Sequence, residues 1–128
     1  MKNELLVSDM LTMNTLARLW HWTTDNAQHH VTYEQFLTQN ETFTDSFVES
    51  ALGNDLEFQF QEVGVTNARI EKYDLQTSRE NLKNYRQRVF EAKKFLEESE
   101  SSANSELIAI LDDVTELTSK TLYLLKLK

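Results

Sequence analysis

The chain has 128 residues and carries 21 acidic against 13 basic side chains, a net charge of −8; its length is that of one ordinary domain, large enough to bury a core without covalent staples. It contains no cysteine and no proline, with glycine only at Gly53 and Gly64. That excludes disulfides, thiolate nucleophiles and cysteine-ligated zinc or iron–sulfur sites, so any metal would be held by imidazole and carboxylate.

The start, MKNELLVSDM, does not read as a signal peptide because Glu4 and Asp9 interrupt it, and no apolar run approaches the roughly 20 residues that cross a bilayer. The expectation is a soluble intracellular protein. The first apolar stripe, Leu6, Met10, Met13, Leu16, Ala17 and Trp20, recurs at three and four and predicts a helix over about 4–24. Asp25 or Asn26 then caps a second helix over about 27–52, with the stripe Tyr33, Phe36, Leu37, Phe43, Phe47, Val48 and Leu52, stopping at Gly53 and Asn54.

Residues 53–76 lose the helical period. Glu57 to Gln61 alternate as an extended segment would, and Gly64 and Asn67 punctuate the rest, so this stretch reads as a long connection. Thr77 and Glu80 have the spacing of a capping box, and Leu82, Tyr85, Val89, Ala92 and Leu96 continue a third helix to about 98. The fourth, about 104–127, carries a wide face of Leu107, Ile108, Ile110, Leu111, Val114, Leu117, Leu122, Leu124 and Leu125, as a helix buried on two sides would.

Loop lengths set the expected topology. The short connections make helices one and two, and three and four, antiparallel hairpins. At ~1.5 Å per residue the second helix is nearly 40 Å long, a distance that the long middle connection spans easily at up to ~3.3 Å per residue. The expected fold is therefore all-α, a single ferritin-like four-helix bundle with two hairpins joined by a crossover.

Residues with metal-ligand chemistry gather in the first half: His21, His30, Asp45 and Glu49, the last two four apart and so on one helix face. The adjacent pairs Glu97-Glu98 and Asp112-Asp113 diverge on a helix and read as solvated, as does His29. The basic stretch Arg86, Arg88, Lys93 and Lys94 is interleaved with Glu91, Glu97 and Glu98, the pattern of a solvated face; with the acidic balance it argues against DNA binding. There is no Gly-rich phosphate loop, no glycine-flanked serine and no His-Glu-x-x-His.

The run Leu19-Trp20-His21-Trp22, followed by His30 and by Asp45 and Glu49 fifteen and nineteen residues after it, resembles the ferroxidase motif of the Dps-type mini-ferritins. His21 and His30 stand closer together than their counterparts do, and the lysine-rich tail of some members is missing. The chain is also similar to small phage-encoded proteins with a His-Trp helix, a Phe-Val-Glu-Ser stretch (here 47–50) and a Leu-rich last helix. Since Asp45 lies ~22 Å along the helix axis from His30, the four cannot meet around one ion within a chain.

The resemblance implies that His21 and His30 of one copy meet Asp45 and Glu49 of another across a twofold. The homo-oligomer would be a dimer or larger, up to a dodecameric shell. It implies Fe(II) as the bound metal, with Mn(II) or Zn(II) as alternative occupants, oxidised by peroxide or oxygen, and Trp20 and Trp22 beside the site as radical quenchers. For the residues themselves the alternative is structural: histidines that satisfy helix-end carbonyls, tryptophans that pack and carboxylates on an acidic surface. On that reading the chain is a phage-encoded structural or host-binding protein without catalytic activity, cytoplasmic in the host bacterium or virion-associated, with the last helix and Phe58 and Phe60 as interfaces.

Overall fold

The computed structural model describes residues 3–56, 73–99 and 104–127. Among these the chain is all-helical, with four helices and no strand: α1 Asn3–Thr23, α2 Ala27–Gly53, α3 Leu75–Glu98 and α4 Asn104–Leu124. The residues expected to form the middle connection, with Phe58, Phe60, Gly64 and Asn67, lie outside the described residues apart from its two ends.

The orphan backbone groups at the start of α2 and α3 and at the end of α2 are satisfied by caps. Asn26, not Asp25, caps α2, its side chain accepting from the backbone N–H groups of Gln28 and His29 at 2.9 and 3.0 Å. The other end of α2 closes as a Schellman motif: Leu56 N–H reaches Ala51 O at 3.0 Å and Asp55 N–H reaches Leu52 O at 3.0 Å. The left-handed position of that motif is Asp55, at φ 63°, whereas Gly53, expected to be the stop, is the last residue of the helix.

The capping box expected at Thr77 and Glu80 is replaced by a cap one turn earlier. Asp74 accepts from the Thr77 backbone N–H and hydroxyl, and these bonds hold its carboxyl below the ordinary carboxylate range. At the end of α3, Leu96 O accepts both the Ser99 backbone N–H at 3.2 Å and the Asn104 side-chain amide at 3.1 Å.

Apolar periodicity then decides packing. Helix α1 packs on α2 and α3, and α4 packs on the same two, so that α2 and α3 occupy opposite corners. Leu6, Met10, Tyr33, Phe36, Phe47, Leu82, Tyr85, Leu107 and Leu111 are fully enclosed between them, at ~1.5–3 kcal/mol for each large apolar side chain removed from water. Leu52 departs from its stripe and is exposed, while its neighbour Ala51 in the same turn is fully buried. The wide face of α4 is divided between its two neighbours, with Ile108, Ile110 and Leu124 only partly covered.

Two polar clusters cross this core. Asn40, wholly buried, donates to Asn14 at 2.7 Å and accepts from the Tyr85 hydroxyl at 3.0 Å, while Asn14 donates to Thr44 at 3.3 Å. The Tyr33 hydroxyl bonds Ser78 at 2.7 Å and also Tyr73. Burial pushes both the Tyr33 and Tyr85 phenols well above the usual tyrosine range. Through these two tyrosine hydroxyls the diagonal helices α2 and α3 are tied across the centre.

Candidate metal centre

His21 stands in the last turn of α1 and His30 in the first turns of α2, on either side of a three-residue connection. The tight reversal brings the rings face to face, with centroids 3.8 Å apart and planes inclined by 21°. Each ring bonds the other residue's backbone: His21 Nδ1 lies 2.8 Å from His30 O, and His30 Nδ1 lies 2.6 Å from His21 O. A carbonyl only accepts, so Nδ1 carries the proton in both rings, and in the neutral imidazole Nε2 keeps the lone pair. This is the way ligating histidines are usually oriented, by giving their other N–H to a carbonyl. The same bond has a structural role, since His21 O is one of the carbonyls left free at the end of α1.

The carboxylates lie on the other half of α2. Asp45 and Glu49 are both exposed, one turn apart. Asp45 borders a shallow hollow of about 460 Å³ between α1 and α2, lined also by Leu11, Asn14, Thr15, Glu41 and Thr44. Glu41, on the wall of this hollow, forms an exposed ion pair with Arg18 at 3.1 Å. Within one chain the four residues do not converge, and among the described residues no group of three or more His, Asp or Glu side chains is placed to hold an ion. Two stacked imidazoles alone fall short of the ligand count that divalent iron, manganese or zinc takes up. The imidazole pair and the carboxylate pair thus lie apart within the chain.

The tryptophans differ from one another. Trp20 is buried and packs on Tyr33 with ring centroids 5.5 Å apart, whereas Trp22 is 58% exposed. His29, expected to be solvated, is instead buried at 5% exposure, and its Nε2 has no hydrogen-bond partner among the described residues. Its position was readable: His29 precedes Tyr33 by four and Phe36 by seven, the spacing of the buried stripe of α2. Of the acidic pairs read as solvated, Asp112 bonds Lys93 at 2.7 Å and Glu97 approaches the same lysine at 3.7 Å.

No family model matches the chain, and searches of characterised proteins and of solved structures returned no match. Among the described residues no helix is long and apolar enough to cross a membrane.

Proposed function

We propose that the chain is a mini-ferritin-like protein that takes up Fe(II) between two copies of a ferritin-like bundle, with Mn(II) and Zn(II) as competing occupants. The observation that carries this reading is the reciprocal clasp of His21 and His30, which fixes Nε2 of both rings as the free lone-pair nitrogen. The ferritin-like arrangement is supported by the order of the contacts. His21 meets His30 while Asn14 meets Asn40 and Thr44, and Arg86 meets Ser119 while Lys93 meets Asp112. Each pair runs in opposing order, as antiparallel hairpins do.

In the proposed dimer, Asp45 and Glu49 of the second copy complete the ligand set with two oxygen donors. Two Fe(II) ions give one electron each to hydrogen peroxide, which with two protons becomes two waters; oxygen serves as the alternative oxidant. The carboxylates favour the Fe(III) product because hard oxygen ligands and negative charge suit the more highly charged ion. Trp20, buried beside His21, is a packing residue first.

Anaerobic calorimetric titration with Fe(II), followed by peroxide and a record of ferric absorbance, tests the reading. Binding of one or two ions per chain is expected, lost in His30→Ala and in Glu49→Ala. Phe47→Ala serves as the contrasting variant: it should cost ~3–5 kcal/mol of stability yet bind metal while folded. Because the half-sites belong to different copies, mixing a chain lacking both histidines with one lacking both carboxylates should restore about a quarter of wild-type capacity, one intact site in each mixed dimer. No restoration would refute the intersubunit site.

The competing reading, a phage-encoded structural or host-binding protein, is favoured by one observation. Val31 and Leu127, 48% and 44% exposed, line an apolar hollow of about 400 Å³ between α2 and α4. Absence of any Fe(II) heat would leave that reading in place.

A further inference from the structure

Two charged stripes on opposite corners of the molecule match in sign and spacing. On α2, Glu34, Asp45 and Glu49 are exposed and fall within about 60° of arc at 3.6 residues per turn. On α3, Arg79, Lys83 and Lys94 fall within a similar arc, with Lys83 and Lys94 exposed and Arg79 partly so. None of the six has an ion-pair partner among the described residues. Arg79 Nε is in addition buried without a hydrogen-bond acceptor.

The intervals coincide when the helices are laid antiparallel. From Glu34 to Asp45 to Glu49 the steps are eleven and four residues, and from Lys94 to Lys83 to Arg79 they are again eleven and four, or ~17 Å and ~6 Å of helix. Phe90, 47% exposed with Lys94 Nζ over its ring at 5.5 Å, then lies opposite Thr38, a small side chain that leaves room for it. The alternative parallel register sets Asp45 against Phe90 and loses one charge pair. Because α2 and α3 sit at opposite corners of the bundle, the stripes cannot meet within one chain.

We propose that a second copy of this chain docks its acidic α2 stripe antiparallel on the basic α3 stripe, pairing Glu34 with Lys94, Asp45 with Lys83 and Glu49 with Arg79. The contact is heterologous: each copy that joins leaves one acidic and one basic stripe free, so assembly proceeds head to tail. Asp45 and Glu49 serve either this contact or a metal in any one copy, and the association belongs to the metal-free protein.

The test is sedimentation of the full chain in chelator across a range of protein concentration. At ~20 mM salt the weight-average mass should climb past that of two copies without levelling there, and in ~0.5 M salt, where charges are screened within a few ångströms, it should fall back to one copy. Arg79→Glu with Lys83→Glu should abolish association, as should Asp45→Lys with Glu49→Lys, with helical circular dichroism unchanged. The chain carrying all four reversals should associate again. A mass that stays at one copy, or levels at two and ignores the α3 reversal, overturns the proposal, as does failure of the fourfold variant to recover. The dimer that levels at two is the twofold arrangement of the metal site, so the two readings fail separately.

Discussion

Asn40 is a polar side chain with 0% exposure, and its amide holds together groups from three helices: Asn14 of α1, its own α2, and Tyr85 of α3. Truncation to alanine strands both partners without water, at ~1–3 kcal/mol for each buried group left unpaired. Asn40→Ala should therefore lower stability by ~2–5 kcal/mol in urea unfolding, well beyond the loss in Tyr85→Phe, which frees only one acceptor. At the surface the scale shrinks. Asn26→Ala should cost ~1 kcal/mol as a lost N-cap and Asp25→Ala close to nothing, which settles by measurement a choice that adjacent Asp and Asn leave open in the sequence. His29 teaches the converse lesson. Its chemistry drew it toward solvent, but the 3.6-residue period had already placed it in line with Tyr33 and Phe36.

The end of α2 puts its two special backbone positions on the wrong residues. Gly53 is helical with open space around the site of a Cβ, and Asp55 bears the left-handed turn. Gly53→Ala and Asp55→Gly should each raise stability by ~0.5–1 kcal/mol, the first by reducing the freedom of the unfolded chain and the second by relieving a side chain at positive φ. Additive gains in thermal unfolding of the double variant are the expected outcome, and a loss in either single variant would contradict the assigned cap. Helix existence was legible because a buried stripe needs its apolar period: the stripe of α3 is enclosed, and so is that of α1 apart from Leu16, which is partly covered. Helix ends were less so: Asp74 and Thr77 are both good capping types three residues apart, and the choice fell to Asp74 because Leu75 can pack against the core when the helix starts there. Of the α2 stripe, Phe43 and Val48 pack on the core partly buried, and only Leu52 stands exposed; period alone does not say which end residue of a stripe finds a neighbour.

At the scale of the molecule, spacing alone keeps His30 apart from Asp45, because ~22 Å of helix axis is a matter of arithmetic, and among the described residues no group of three or more such side chains comes together. The clasp of His21 and His30 is legible in part: a histidine that satisfies a helix-end carbonyl is one of the readings the sequence allows, and His30 Nδ1 meets His21 O in that way. The reciprocal bond and the ring stacking depend on a three-residue reversal whose geometry no periodicity encodes. The matching charge stripes lay in plain sight, but their meaning depends on α2 and α3 standing at opposite corners. One feature of that arrangement reaches into strong alkali. The diagonal is tied by the phenols of Tyr33 and Tyr85, whose burial raises both above the ordinary value of 10.0. A raised folded value means that the stabilisation is complete below pH 10 and is lost as pH climbs above it, since the unfolded chain gives up these protons first. Phenolate absorbance near 295 nm should thus appear in two stages as base is added, with the second coinciding with loss of helix; in Tyr33→Phe and Tyr85→Phe that second stage should shrink. The molecule carries its own optical signal for the moment its centre opens.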